Sequence, residues 1–176
     1  MERVFTVVRY YSDKLWSLDG RLYTEGVEYR DELFIVYPRP EDAIVYARDF
    51  AEIFPHIILY QADAEILPVV PCRYPTIAAP HIFRQQWSEL VLAGKIHEAE
   101  QLCLGEWRIY TYPSVGIAFA TVLVLERPLI RFKNYFEPSK RQRRVVTVLD
   151  PNLAEVAQEY CYGWEVKVHG GDQVSV

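Results

Sequence analysis

A chain of 176 residues is long enough to bury a core of its own and fits a single domain. Its 51% apolar and 24% charged residues are those of an ordinary globular protein. A net charge of −5 argues against a general nucleic-acid binder, which needs a clustered basic face to neutralise phosphates.

Aromatic residues are plentiful, and 13 of them are tyrosines. Tyrosine suits a half-buried sheet, because the ring packs while the hydroxyl stays wet, and it equally suits the wall of a ligand pocket. Cys72, Cys103 and Cys161 are odd in number and widely spaced. Free buried thiols in a reducing compartment fit that pattern better than a disulfide or a zinc site. Met1 runs directly into RVFTVV without a basic-then-apolar leader, and the longest apolar run, residues 115–125, is too short to span a bilayer. A cytoplasmic protein without a membrane segment is expected.

In chain order, residues 3–11 (RVFTVVRYY) are β-branched and aromatic and predict a strand. Arg9 within it faces solvent or, at a strand end, grips a phosphate or carboxylate in bidentate fashion. Residues 12–31 carry Asp19-Gly20 and Glu25-Gly26 between short apolar patches, the pattern of a loop or irregular hairpin that can also serve as the lid of a site.

Residues 31–66 form the central unit. ELFIVY (32–37) reads as a strand buried on both faces, stopped by Pro38 and Pro40. Pro40 suits a first helical turn, Glu41 and Asp42 suit the helix dipole, and Ala43, Tyr46, Ala47, Phe50, Ala51 and Phe54 recur at helical spacing. Pro55 ends that helix, and residues 56–66 supply a second strand, so that this unit alone has the pattern of parallel pairing. His56 is assigned to the turn. Asp63 and Glu65 alternate on the second strand and would face one side as a carboxylate pair.

Four prolines make residues 67–81 an extended surface connection. Residues 82–104 predict helix, divided at Gly94. His97 is expected in solvent, and no His or Cys pair has metal-ligand spacing. Residues 106–112, 115–125, 128–136 and 144–150 read as strands. SKRQRR at 139–144 is the one basic cluster, an exposed hairpin tip or an anion or RNA contact. Asp150-Pro151 opens a short helix, residues 164–170 give an edge strand, and a frayed tail follows Gly170-Gly171. The class is α+β: one domain with a mixed or mostly antiparallel sheet of about six to eight strands and three or four helices. Tyr112-Pro113-Ser114-Val115-Gly116 resembles a nucleophile elbow, but a tyrosine stands in place of its first glycine.

Taken together, RVFTVVRYY, the glycine-bearing loop, ELFIVY, PEDAIVYARDFAE and HIILYQADAE resemble the opening of proteins with the ADP-ribosyltransferase-like fold. The nearest layout is that of the RES-domain family of NAD-degrading toxins. The resemblance covers residues 3–66 and a few around 114, with GRLYTEG (20–26) where the family has Gly-Gly-Arg-Trp. It implies NAD as substrate without a metal. Arg9 would bind its pyrophosphate, Tyr10 beside it would belong to the cofactor-binding set, and Tyr37 would stack on nicotinamide. Ser114 would be the late serine, and a helix acid, for which Asp49 and Glu52 both stand near the position and Glu52 is taken, would stabilise an oxocarbenium-like ribose. The competing expectation is a non-catalytic module that binds a protein partner, an inhibitor, antitoxin or viral accessory protein, since tyrosine is favoured at interfaces.

Overall fold

A 19-residue strand, Ala118–Phe136, carries most of the sheet pairing in the computed structural model, which describes residues 1–30 and 32–169. The order is β1 (Glu2–Tyr11), β2 (Lys14–Trp16), β3 (Leu22–Tyr23), β4 (Glu28–Tyr29), β5 (Phe34–Val36), α1 (Pro40–Phe50), β6 (His56–Ile66) and β7 (Arg73–Pro75). There follow α2 (His81–Leu92), α3 (Ile96–Leu104), β8 (Thr111–Pro113), β9 (Ala118–Phe136), β10 (Gln142–Val148), α4 (Ala154–Tyr160) and β11 (Glu165–Val168). The fold is a single α+β domain with a mostly antiparallel mixed sheet and four α-helices among the described residues. The expected tail after Gly170-Gly171 lies outside the described residues, as does Asp31.

The sheet runs β11-β10-β9-β6-β1-β2-β3, and β4 and β5 lie on β9. Because β6 occupies one edge of β9 from Ala120 to Lys133, β4 and β5 take the other edge. The end of β5 then reaches β1: the Phe5 N–H donates to the Tyr37 carbonyl at 2.9 Å, and the Tyr37 N–H donates to the Phe5 carbonyl at 2.7 Å. β1, β6, β9 and β5 thus form a closed ring. Its inside is lined by small and branched residues, among them Val4, Val8, Val36, Ala62, Ala64, Ala118 and Ala120. Four alanines fit the tight curvature and leave room beside them for Phe34, Tyr60, Leu123 and Leu125. The other face of the sheet (Val7, Tyr37, Leu59, Phe119, Ile130, Phe132) packs against the helices through Ile44, Phe50, Phe83, Trp87 and Ala157.

The central unit departs from the expected parallel pair. β5 and β6 run in one direction, yet β9 lies between them, antiparallel to both. The unit is therefore a split strand–helix–strand, and the parallel pair in the main sheet is β10 with β11. The helix also stops earlier than Pro55: α1 ends at Phe50, and residues 51–54 continue as turns.

Two further expectations are corrected. Residues 115–136 hold one strand where two were expected, broken near Pro128. Register shifts on β6 between Leu59 and Tyr60 and between Gln61 and Ala62 bracket the pairing of Tyr60 with Pro128. A bulge there frees the strand from needing an N–H donor that proline lacks. Residues 106–112, read as a strand, are mostly a tight turn with a 3₁₀ segment at Arg108–Tyr110. The cause is Trp107, whose ring stacks on Phe83 of α2 with centroids 5.1 Å apart and draws the segment back over the helices.

The break between α2 and α3 follows its sequence signal. Gly94 has φ +77°, its N–H donates to Val91 at 3.0 Å, and the Lys95 N–H donates to Leu90 at 2.9 Å, the paired bonds of a Schellman cap. Asp150 accepts from the Asn152 N–H at 3.0 Å, ahead of Pro151, and starts the last helical stretch. Cys103 and Cys161 are buried, and burial pushes their thiols up to about 12 and about 11, whereas Cys72 is exposed. Among the described residues no helix is long and apolar enough to cross a membrane.

Leu123 is fully buried inside the strand ring. Leu123→Ala is expected to lower unfolding free energy by about 2–5 kcal/mol in urea denaturation, since the ring has little freedom to collapse into the void.

Candidate functional site

A cavity of about 100 Å³ opens between the helix-covered face of the sheet and the turn joining β2 to β3. That is well under the roughly 300–1,000 Å³ of pockets that enclose drug-sized ligands, and it suits a single ring. β1 contributes Val7, β5 Ile35, the residue after β5 Tyr37, α1 Phe50, β7 Tyr74 and β8 Tyr112. The Tyr37 side chain faces this space because the backbone bonds to Phe5 fix the strand end and strand alternation sets the face.

The tyrosines form one group. Tyr37 and Tyr46 have ring centroids 5.1 Å apart, and Tyr74 and Tyr112 lie 5.6 Å apart. The Tyr46 hydroxyl donates to the Val115 carbonyl at 3.1 Å. The Tyr74 hydroxyl beside it is buried without a well-formed hydrogen bond. Burial first, then the neighbouring tyrosines, raise Tyr37 and Tyr74 well above the ordinary phenol range, so both stay neutral.

The mouth is charged. Asp19 lies 3.1 Å from Arg84 of α2 and 3.7 Å from Arg21. Arg21 also meets Glu32 at 3.1 Å and stacks over the Phe34 ring at 4.8 Å. The Ser17 hydroxyl donates to the Asp19 carboxylate and accepts from the Arg21 N–H at 2.8 Å. Burial opposes the charge on Asp19, but the Ser17 hydrogen bond, Arg21 and Arg84 together hold it below the usual carboxylate range. Beyond this mouth a more open, polar recess is lined by His81, Arg84, Gln85 and Ser88 of α2, with Arg21 and Glu32 facing them.

Of the sequence-predicted site residues, Tyr37 alone lines the cavity. Arg9 lies two positions beyond Val7 on the same face of β1, its guanidinium over the Phe54 ring at 4.6 Å and the Tyr11 ring at 5.1 Å. Tyr10 points to the opposite face, with its ring 4.9 Å from that of His56 and its hydroxyl donating to Asp13 at 3.1 Å. Alternation along the strand thus sets the two side chains on opposite faces of the sheet. Glu52 sits in the turn after α1 and pairs with Arg144 of β10 at 3.0 Å. Ser114 follows β8; its N–H donates to the Cys72 carbonyl at 2.7 Å, and its hydroxyl oxygen is buried without a partner.

Other sequence candidates resolve into ordinary contacts. Asp63 bonds to Glu126, which raises the Asp63 pKa, and Glu65 is exposed. In the basic cluster, Arg143 pairs with Glu137 and Glu165, and Arg144 with Glu52. Among the described residues no group of three or more His, Cys, Asp or Glu is placed to hold a metal. Arg21, Arg84, Ser17, Asp19, Tyr74 and Tyr112 are the additions that only the three-dimensional arrangement supplies.

Two measurements check this account. Tyr74→Phe removes a buried hydroxyl that lacks a good partner, so stability should hold or rise by up to about 1 kcal/mol in urea denaturation. His56 begins β6 with its Nε2 buried and unpartnered, and burial, Lys133 and Arg131 lower its pKa to about 4. The unfolded chain binds a proton between about pH 6.5 and that value while the folded protein does not, so this contribution is whole above pH 6.5 and is lost as pH falls. His56→Gln should flatten the melting temperature across that window relative to the parent. Compared with family models, curated proteins and solved structures, the chain matches none.

Proposed function

We propose that the protein is an NAD-handling domain of ADP-ribosyltransferase-like character, with the Tyr37 cavity as the seat of the nicotinamide ring. The observation that carries this reading is an aromatic chamber, sized for one ring, whose wall includes the tyrosine that the sequence layout assigned to nicotinamide. A planar ring between tyrosine faces gains about 0.5–1.5 kcal/mol beyond simple area burial. The ribose and the remaining nucleotide would lie outside, toward the polar recess.

Turnover requires more than binding. Breaking the C1′–N bond releases neutral nicotinamide and leaves positive charge on the ribose, which a nearby carboxylate stabilises. Glu52, the acid taken for that role, is spent on Arg144. The reading is therefore stronger for binding than for catalysis, and a cytoplasmic setting with free thiols accompanies it.

A second reading, a non-catalytic module docking a protein partner, is favoured by an apolar groove beside α1. Ile53, Val115 and Tyr112 line it and are 61%, 68% and 42% exposed. The two readings part in one experiment. Purified protein is mixed with NAD, nicotinamide and ADP-ribose, and both melting temperature and nicotinamide release are followed. A ligand at a hundred times its dissociation constant adds about 2.7 kcal/mol, which a thermal shift reads directly. The NAD reading expects a shift with NAD and with nicotinamide, and at least a tenfold loss of any nicotinamide release in Arg9→Ala and Glu52→Gln if those residues act. No shift with either ligand and no release would leave the docking module.

A further inference from the structure

The polar recess and the aromatic cavity share the residues that separate them: Asp19, Arg21, Leu33 and Arg84. Two guanidinium groups meet there on the Asp19 carboxylate, Arg84 at 3.1 Å and Arg21 at 3.7 Å, while Arg21 keeps a second ion pair with Glu32 at 3.1 Å. Guanidinium pairs of this kind recognise phosphate as readily as carboxylate, because the planar fork matches either group. Asp19 belongs to a tight turn and not to a regular element. The Gly20 N–H donates to the Ser17 carbonyl at 3.1 Å, and Gly20 has φ +95°. The turn joins the three-residue β2 to the two-residue β3, and β3 ends the sheet with a single paired neighbour. Such short edge pairing is the part of a domain that opens at least cost. Leu18 of the same turn lines the aromatic cavity, so displacing the turn also uncovers the ring site.

We infer that Arg21 and Arg84 form a binding site for a phosphate or pyrophosphate group, and that Asp19 is its internal occupant, exchanged for the ligand when the Ser17–Gly20 turn moves. This rests on the NAD reading for its link to the ring site, but the anion site stands or falls by its own measurement. Asp19 competes at the guanidinium groups as a tethered anion, so neutralising it lowers the concentration of ligand needed. Ser17 steadies the competitor, because its hydroxyl donates to the Asp19 carboxylate and so holds the turn closed.

The test titrates inorganic pyrophosphate into the full chain by calorimetry, comparing the parent protein with Asp19→Asn, Ser17→Ala and the double variant Asp19→Asn/Arg84→Ala. Asp19→Asn should bind pyrophosphate at least tenfold more tightly than the parent, and Ser17→Ala should move in the same direction. The gain should vanish in the double variant. Circular dichroism verifies folding, and Ser17→Ala decides the matter if Asp19→Asn does not fold. Equal affinity in parent and folded single variants, or a gain that survives Arg84→Ala, overturns the inference. Nicotinamide carries no anion, and its binding separates the two ideas. Pyrophosphate exchange without any nicotinamide or NAD binding sinks the NAD reading and leaves the anion site, whereas nicotinamide binding without pyrophosphate exchange does the reverse.

Discussion

The reciprocal hydrogen bonds between Phe5 and Tyr37 constrain the whole arrangement. With the Thr6 hydroxyl, which donates to the Ile35 carbonyl at 3.0 Å, they join the end of β5 to β1 and turn an open sheet into a closed ring. The same two bonds anchor the strand end that carries Tyr37, whose side chain then stands on the helix-covered face. Backbone amides satisfied in this way hold position without depending on side-chain identity. The aromatic cavity inherits its rigidity from them: one wall is backbone-locked, while the opposite wall is a turn.

That asymmetry organises the site. Tyr37, Phe50 and Tyr74 are buried and packed among other rings, so their positions are fixed by dense contacts. Ser17, Asp19 and Arg21 are instead held by a few polar contacts in the turn between two short edge strands. Exposed ion pairs contribute little to stability on their own. The charged mouth is therefore better understood as a latch on a stable chamber than as a part of what keeps the domain folded.

Much of the fold was readable in the sequence because local signals agreed with one another. Pro55 followed by an apolar run marked β6, although His56, assigned to the turn, begins the strand, and Gly94 marked the helix break. The misreadings have tertiary causes. Pro128 looks like a strand stop until a bulge opposite it removes the need for its missing donor, and Trp107 leaves its strand-like surroundings to stack on Phe83. The strand–helix–strand unit was visible, but nothing local announces that a strand more than fifty residues later will insert between its halves. For the site, Tyr37 was legible by its place after the ELFIV run. Arg21 and Arg84 were not, since they are far apart in the chain and meet only through Asp19. Arg9 and Tyr10 are adjacent in sequence, and strand alternation sends their side chains to opposite faces.

The length of β9 also sets how this chain must fold. Phe5 lies opposite Gln61, and Ala62 opposite Leu125, so the pairings of β6 with β1 and with β9 join segments distant in sequence. Contacts of such long range are formed late, because the entropy of closing the loops is lost before the pairing rewards it. During synthesis β4, β5 and β6 leave the ribosome with the edges meant for β9 still open. Until that strand arrives, these apolar edges are templates for any other extended chain. The inserted central strand that completes the ring thus also defines a vulnerable interval, in which the nascent protein depends on speed or on chaperones to reach its native pairing.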